Sequence, residues 1–248
     1  MVRASQLFSW MRDVAFDLHD VCLGTPFGKL RRTVRPYTMC GNARLRGLFH
    51  AVEHVVTNRI PGDLVECGTA RGGSAALMGL ALKHFGASRT VWVFDTFEGL
   101  PPPTAGDPDQ ARAGRYTGAC RGNLEEVEAF FHRTGILGNC KLVKGLFRDT
   151  LPGCAVRTIA VLHLDCDWYE SLKVCLDQLY DRVSSGGIIQ IDDYGHWEGA
   201  RKAVDAFLDR RGLNVHLRRL DYTGRQVVKP PEATETQRKP RTQSFLCL

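Results

Sequence analysis

Four aspartates stand in two pairs, each after an apolar run of the kind that forms a buried strand: Asp165 and Asp167 after IAVLHL, and Asp192 and Asp193 after IIQI. Because neighbouring strands lie roughly 5 Å apart, we expect these carboxylates at one edge of a sheet, where their repulsion is costly without a cation between them. Such oxygen ligands suit Mg²⁺, with Mn²⁺ or Ca²⁺ as substitutes, and not zinc. The alternative is that the aspartates cap the following helices, as Asp167 is placed to do before Trp168.

A glycine-rich bend, E-C-G-T-A-R-G-G at 66–73, follows another apolar run. Its glycines let the backbone turn sharply and approach a ligand, and the positive dipole end of the next helix then favours an anionic group. Asp95 ends the run TVWVFD, where a carboxylate accepts hydrogen bonds from both hydroxyls of a ribose. Together these features predict a nucleoside-containing cofactor. The alternative for the bend alone is a tight turn that holds no ligand, since its spacing matches no standard phosphate-binding loop.

The elements that must position these residues alternate along the chain. The pattern predicts strands at 63–68, 90–95, 140–145, 159–165 and 187–193, and helices at 72–86, 123–135, 169–183 and 198–212. Two further strands, 214–222 and 225–230, are separated by Thr223-Gly224, which is typical of a hairpin. We therefore predict an α/β fold with a doubly wound, mostly parallel seven-stranded sheet, an antiparallel C-terminal hairpin and N-terminal helices. A Rossmann dehydrogenase would more often continue with further crossovers.

The ends of the chain differ from its centre. Residues 44–59 predict a helix with one broad apolar face, which would pack beside the sheet or against a second subunit. We assign 1–59 to an N-terminal helical extension with a lid or oligomerisation role, 60–230 to the main domain and 231–248 to a polar C-terminal tail.

Composition narrows the class of protein. With 248 residues and 44% hydrophobic content, one large domain with a buried core is expected. The net charge of +6 is scattered over the chain, so no nucleic-acid partner is predicted. Nine cysteines occur without a C-x-x-C pair, several of them in apolar runs, which indicates a reducing compartment. No signal peptide or membrane-length apolar stretch is found, so we expect a cytoplasmic protein without a membrane partner.

One motif is treated as a coincidence. His50-Ala-Val-Glu53-His54 matches the inverted zincin pattern H-x-x-E-H. It lies in an apolar N-terminal helix with no third ligand in view, so a zinc site is not predicted there.

The chain resembles the macrocin and mycinamicin O-methyltransferase family, the TylF-like class I S-adenosylmethionine-dependent methyltransferases. The resemblance rests on PYTM (36–39), IPGDLVECGTARGGSA (60–75), VWVFDTFEGLPPP (91–103), VKGLFRDTLP (143–152), LHLDCDWYESLKVCLDQLYDRVSSGG (162–187) and IIQIDDYGHWEGARKAVDAF (188–207). Within these segments, the combination of DTFEGLP, LDxDxYES and DDY is the part of the resemblance that is specific to the family.

This resemblance implies S-adenosylmethionine as methyl donor, Mg²⁺, and a sugar hydroxyl of a glycosylated natural product as the small-molecule acceptor, as in antibiotic biosynthesis. It also implies a homodimer or higher homo-oligomer, formed through the N-terminal helices. The cofactor contacts it implies are Thr38, Met39, Glu66, Gly68, Thr69, Ala70, Gly72, Ser74, Asp95, Thr96, Phe97, Gly145, Phe147, Arg148 and Asp165. The implied metal ligands are Asp165, Asp192 and Asp193, with Asp165 the general base and Asp167 the alternative base. Departures from the family pattern are His163, where an arginine is expected, Cys166, where glycine is expected, and the small pair Thr69-Ala70.

Other functions are weighed beside this one. A catechol-type O-methyltransferase would use the same metal on an aromatic diol, and Trp168, Tyr194, His196 and Trp197 would suit ring contacts. A cofactor-binding scaffold without catalysis would show stabilisation by S-adenosylmethionine but no turnover. Dehydrogenase chemistry is least favoured, because it leaves the aspartate cluster unexplained.

Overall fold

The computed structural model describes residues 24–231. Its helices are α1 (Pro26–Val34), α2 (Asn42–Thr57), α3 (Gly73–His84), α4 (Gln110–Ala113), α5 (Leu124–Thr134), α6 (Phe147–Thr150), α7 (Tyr169–Leu179) and α8 (Glu198–Arg211). Its strands are β1 (Asp63–Cys67), β2 (Val91–Asp95), β3 (Cys140–Lys144), β4 (Ile159–Leu164), β5 (Val183–Ile191), β6 (Arg218–Arg219) and β7 (Arg225–Val228). Short 3₁₀ turns lie at Arg35–Tyr37, Gly114–Tyr116, Leu137–Asn139 and Tyr180–Arg182.

The seven strands form one sheet in the order β3-β2-β1-β4-β5-β7-β6. Strands β1 to β5 are parallel, and β7 pairs antiparallel with β5 and with β6. The predicted fold class is confirmed, including the antiparallel closure. The order reverses between β1 and β4, and such a switch point leaves a crevice at the carboxyl ends of the strands.

The hairpin differs in length from its prediction. Residues 214–222 were expected to form a strand, but only Arg218–Arg219 pair with β7. The Asp221 carboxylate accepts the backbone N–H groups of Thr223 and Gly224, at 2.9 and 2.7 Å. These bonds fold the chain into a turn that begins before Thr223, so the strand ends early.

Alternate strand residues supply the two layers of the core. Leu64, Val93 and Val161 belong to a buried cluster with α1, α2, α3 and α5, whereas Val65, Phe94 and Leu162 belong to a second cluster with α7 and α8. Because successive side chains of a strand point to opposite faces, both faces of a buried parallel sheet must be apolar, and the continuous apolar runs follow from this.

Helix α2 packs on the sheet. It buries Leu45, Leu48, Val52 and Val55 at helical spacing and contacts α3, β4 and β5. Its apolar face is therefore covered within the chain. Residues 1–23 of the predicted extension and 232–248 of the predicted tail lie outside the described residues, and the division at residue 59 stays a prediction.

No helix in the range 24–231 is long and apolar enough to cross a membrane.

In the H-x-x-E-H segment, His50 Nδ1 lies 2.8 Å from Glu53 Oε2 at the surface, while His54 Nε2 lies 3.1 Å from the Gly186 carbonyl oxygen. The two histidines thus have separate hydrogen-bond partners.

Candidate active site

A cavity of about 570 Å³ opens at the carboxyl ends of β1, β2, β4 and β5. It lies where the strand order reverses, which is where an open α/β sheet holds its ligands. Its wall combines the glycine-rich bend after β1, the proline-rich loop after β2, the aspartates after β4 and β5, and the turn of the C-terminal hairpin. One cavity therefore contains all four strand ends that carry chemistry in the sequence.

The bend after β1 is fixed by close backbone contacts. Gly68 has φ +86°, and a Cβ at this position would stand 1.9 Å from the Asp165 carbonyl oxygen. Asp95 holds the next residues, because its carboxylate accepts the backbone N–H groups of Thr69, Ala70 and Phe97 at 2.7, 3.1 and 2.7 Å. Burial raises the pKa of Asp95, and these N–H groups act against that rise. The glycine is thus required by the backbone conformation as well as by the approach of β4.

The predicted cofactor residues divide into two groups. Those that line the cavity are Met39, Gly68, Ala70, Asp95, Thr96, Phe147, Arg148 and Asp165. Those that do not line it are Thr38, Glu66, Thr69, Gly72, Ser74, Phe97 and Gly145. As direct cofactor contacts, both groups remain predictions.

Three carboxylates crowd together at the ends of β4 and β5. Asp165, Asp167 and Asp193 each offer an oxygen, and these atoms lie within 4.8 Å of one another. Burial and the charges of Asp192 and Asp193 raise the pKa of Asp165 well above its usual range, and burial and Asp193 do the same for Asp167. Burial and Asp192 raise the pKa of Asp193 to about 6. Burial is the largest cause of these pKa shifts and repulsion between the carboxylates adds to it, and a divalent cation would relieve the repulsion.

Asp192 has a different environment. Its carboxylate accepts from Arg44 Nη1 at 2.7 Å and Gln190 Nε2 at 3.1 Å, and it lies 3.0 Å from His163 Nε2 and 2.9 Å from Cys40 Sγ. Burial favours the neutral acid, but Arg44 and His163 outweigh burial and hold the pKa of Asp192 well below its usual range. Asp192 is fully buried and does not line the cavity. Of the three predicted metal ligands, Asp165 and Asp193 lie in the cluster with Asp167. Asp192 lies with Asp165, His163 and Cys40 in a second group whose ligand atoms are also within 4.8 Å of one another, but it already has cationic partners there.

His163 connects Asp192 to Glu66. Its Nδ1 lies 2.7 Å from Glu66 Oε1, and both side chains are fully buried. Burial opposes a charged ring, but Asp192 and Glu66 raise the pKa of His163 well above its usual value. An imidazolium that donates to two carboxylates fills the role that a guanidinium would fill, which explains how a histidine replaces the arginine expected at this position. Glu66 Oε1 is used in this contact and Glu66 does not line the cavity, while its Oε2 is buried without a hydrogen-bond partner among residues 24–231.

Aromatic side chains cover the side of the cavity next to the aspartates. The Trp168 and Trp197 rings meet edge to face at 4.9 Å, and Tyr116 meets Trp197 in the same way at 5.4 Å. Trp168 Nε1 donates to the Pro101 carbonyl oxygen at 2.7 Å, and Trp197 Nε1 donates to Asp167 Oδ1 at 2.9 Å. Both indole N–H groups are thereby satisfied. The two tryptophans are 1% and 4% exposed, so the apolar ring surface open to an organic ligand is mainly that of Tyr116, which is 44% exposed.

Sequence reasoning did not identify Arg44 and Cys40, which lie beside Asp192. Arg44 belongs to the helix that was predicted from its apolar face, and Cys40 lies in the preceding loop. One signal was available: Glu66, His163, Gln190 and Gln226 are polar residues flanked by apolar residues on at least one side in their strands, and the structure pairs them in register as a row across four strands. Such a row needs polar partners from the layer above it, and α2 supplies them.

The sequence is similar to that of a known protein family and to those of individual known proteins. A family model described as Macrocin-O-methyltransferase (TylF) matches residues 29–228. The chain is 39% identical over 193 residues to 8-demethyl-8-(2,3-dimethoxy-alpha-L-rhamnosyl)-tetracenomycin-C 4'-O-methyltransferase of Streptomyces olivaceus, over 76% of this chain and 74% of that protein. It is 35% identical to mycinamicin III 3''-O-methyltransferase of Micromonospora griseorubida, over 76% of each protein.

Solved structures show the same fold. The O-methyltransferase NovP superposes with a TM-score of 0.74 at 36% identity, over 78% of this chain and 82% of that one. The calicheamicin methyltransferase CalS11 superposes with a TM-score of 0.60 at 18% identity, over 92% of this chain and 94% of that one. At this lower identity the likeness concerns the fold alone.

Proposed function

Because this chain belongs to the macrocin O-methyltransferase family and is therefore an O-methyltransferase, we propose that it methylates a sugar hydroxyl of a glycosylated natural product, with S-adenosylmethionine as donor and Mg²⁺ as metal. The relatives named for tetracenomycin and mycinamicin substrates favour an acceptor of this type. The observation that carries the proposal is the opening of the carboxylates Asp165, Asp167 and Asp193 into the same cavity as the Gly68 bend.

The cofactor fits the part of the cavity between β1 and β2. The backbone at Gly68 and Ala70 is exposed to the cavity, and α3 begins five residues after Gly68, so its N-terminal dipole favours the carboxylate of the methionyl group. Asp95 faces the cavity at the end of β2, where it would accept from a ribose hydroxyl. Its carboxylate accepts three backbone N–H groups and therefore retains acceptor capacity. Phe147 and Arg148 would border the adenine.

The metal fits the carboxylate cluster by the chemistry of its donors. Three crowded carboxylate oxygens with raised pKa values form a hard, anionic site of the kind that Mg²⁺ occupies. When bound there, Mg²⁺ would lower the pKa of an acceptor hydroxyl and neutralise charge as the oxygen becomes a nucleophile. Two sets of metal ligands are proposed. Asp165 and Asp193 belong to both sets, and the third ligand is Asp167 in one set and Asp192 in the other.

The chain's own residues supply the proton acceptor and the enclosure. Asp165 is the proposed general base, with Asp167 as the alternative, because both carboxylates line the cavity. The tryptophan wall excludes water from one side of the reacting groups. A catechol-type reaction on an aromatic diol would use the same residues, so the choice of acceptor separates the two functions.

The cellular setting and assembly are also part of the proposal. The cysteines within residues 24–231 are free thiols, in keeping with a cytoplasmic enzyme.

We propose that the enzyme is a homo-oligomer. Since the apolar face of α2 is covered by the sheet, its interface would use other surfaces. Size-exclusion chromatography with light scattering decides between a monomer and an oligomer.

The function is tested by mass spectrometry of a panel of glycosides and catechols, incubated with S-adenosylmethionine and Mg²⁺. We expect a gain of one methyl group on a glycoside, and loss of this gain in excess chelator. Asp193→Asn should lower the rate by at least about 100-fold, which corresponds to the loss of one essential catalytic interaction. Methylation of catechols alone would contradict the sugar acceptor, and full activity in chelator would contradict the metal.

A matched control separates the metal site from general charge effects. Glu170 lines the cavity but lies outside the carboxylate cluster, so Glu170→Gln should retain activity and Mg²⁺ dependence. Asp167→Asn and Asp192→Asn then identify the third ligand. The substitution at the ligand position raises the Mg²⁺ concentration needed for half-maximal rate, and the other substitution does not.

A further inference from the structure

We infer that Tyr222 forms an acceptor-binding subsite, in which its hydroxyl donates a hydrogen bond to an oxygen of the acceptor sugar. The inference rests on the proposed function and assigns a specificity-determining residue to it. Tyr222 lies in the turn of the C-terminal hairpin and lines the same cavity as Asp165 and Asp193.

The protonation of His196 sets the role of Tyr222. Arg112 Nη2 lies 2.9 Å from His196 Nε2. A guanidinium only donates, so Nε2 must be the bare, accepting nitrogen and the ring proton must lie on Nδ1. Arg112 is held in place because its guanidinium stacks on the Trp197 ring, 4.5 Å from the centroid. Burial and the charges of Arg112 and Arg44 lower the pKa of His196, in agreement with a neutral ring.

The tautomer leaves the hydroxyl proton of Tyr222 unused. His196 Nδ1 lies 2.6 Å from Tyr222 Oη, and since Nδ1 carries the proton, it donates and Tyr222 accepts. This is the one hydrogen bond of the Tyr222 hydroxyl among residues 24–231. Its own proton is therefore free to be donated to a ligand in the cavity.

The backbone around Tyr222 is held from several directions. Asp221 accepts from Thr223 N, Thr223 Oγ1 and Gly224 N, and its other oxygen accepts from Arg44 Nε at 3.0 Å. Gly195 N donates to the Thr223 carbonyl oxygen at 2.8 Å, and a Cβ on Gly195 would stand 1.9 Å from the Tyr222 carbonyl oxygen. The loop after β5 thus lies directly on the hairpin turn, and the hydroxyl is preorganised before an acceptor arrives.

The neighbouring side chains indicate which chemical group the subsite takes. Tyr222 presents a neutral donor, so its partner is an oxygen with a free lone pair. Tyr116 lines the same cavity as Tyr222, and its 44% exposed ring offers apolar surface to the C–H groups of a sugar. A hydroxyl oxygen on a pyranose ring matches both features.

The test uses deoxy acceptors with Tyr222→Phe, which removes the hydroxyl and keeps the ring. Methyl α-L-rhamnoside and analogues that each lack one ring hydroxyl are the probes. For one of the deoxy analogues, the loss of the ring hydroxyl should lower kcat/KM more in the wild type than in Tyr222→Phe. The difference should be about 3- to 10-fold, which is the size expected of one neutral hydrogen bond. In Tyr222→Phe, kcat/KM for the parent glycoside should fall by a similar factor, while S-adenosylmethionine affinity stays unchanged.

Tyr194→Phe is the matched control. The Tyr194 hydroxyl donates to Asp205 Oδ1 at 2.8 Å and does not line the cavity, so this variant should show the wild-type pattern of deoxy penalties. Equal penalties in wild type and Tyr222→Phe would overturn the inference while the proposed function stands. A wild type that methylates none of the glycosides would instead contradict the proposed function, and the subsite would fall with it.

Nitrogen NMR of the histidine rings tests the tautomer without any acceptor. We expect His196 to carry its proton on Nδ1 in the wild type. In Arg112→Leu, the constraint on Nε2 is lost, and the two tautomers should become mixed. A wild-type ring protonated on Nε2 would overturn the inference, because Tyr222 would then have to donate to His196 and would have no proton for the acceptor.

Discussion

The four aspartates at the strand ends have two different electrostatic roles. Asp192 is ionised and paired with Arg44 and His163, whereas Asp165 and Asp193 repel one another and have raised pKa values. The sequence shows the four residues as equivalent, because the cations that distinguish them come from α2 and from the middle of β4. A pattern of strand ends can therefore predict that carboxylates meet, but not which of them remain free for a metal.

The raised pKa values predict a pH-dependent response to Mg²⁺. A carboxyl whose pKa is raised on folding stabilises the metal-free protein below its unfolded pKa, and this contribution is lost as pH rises through the folded value, which is about 6 for Asp193. Mg²⁺ needs the ionised carboxylates, so its binding strengthens over the same pH range. The rise in Tm on adding Mg²⁺ should therefore be small near about pH 5 and large near about pH 8.

Differential scanning fluorimetry with and without Mg²⁺ measures this response. Asp193→Asn should reduce both the Mg²⁺ effect and its dependence on pH, and Asp177→Asn, in an exposed ion pair, should leave both unchanged. An identical Tm increment at the two pH values would contradict the assignment of the cluster.

At the scale of the elements, the bend after β1 joins the cofactor region to β4. Gly68→Ala would place a methyl group 1.9 Å from the Asp165 carbonyl oxygen, at a φ of +86°. Strain of this kind costs roughly 1–3 kcal/mol before the steric contact is counted. We expect a clear loss of stability in urea unfolding, together with loss of S-adenosylmethionine binding by calorimetry.

Gly138→Ala is the control for this change. A Cβ at Gly138 would meet no atom within 4 Å, so stability and cofactor binding should both be retained. If Gly68→Ala bound S-adenosylmethionine as the wild type does, the bend would not be part of the cofactor site.

At the scale of the whole molecule, the apolar pattern of the sequence predicted the parallel sheet, but it did not predict the short helices or the length of β6. The apolar runs in β1, β2, β4 and the second half of β5 predicted these strands, because a strand buried on both faces is largely apolar. The short helices α4 and α6 have too few residues to show a period, and β6 is shorter than expected because Asp221 starts the turn early. The polar row from Glu66 to Gln226 was visible only as isolated residues, since strand order is needed to align them.

The packing of α2 predicts that the N-terminal helices unfold with the sheet. Leu48 is fully buried in the cluster shared by α1, α2, α3 and the strands. Leu48→Ala should cost about 2–5 kcal/mol, and it should leave a single unfolding transition. Circular dichroism and tryptophan fluorescence should report the same midpoint. Val228→Ala, at a half-exposed edge position, should change stability by less than about 0.5 kcal/mol. Separate transitions would contradict one shared core.

The position of Met39 makes this residue a reporter of ligand binding in solution. Met39 is 66% exposed and lines the cavity, whereas Met78 is fully buried, and the chain has four methionines in all. Protein labelled at the methionine methyl groups should give a small set of resonances, of which the Met39 signal responds to whatever enters the cavity. Occupancy by donor and by acceptor can then be followed separately in solution, in the absence of turnover.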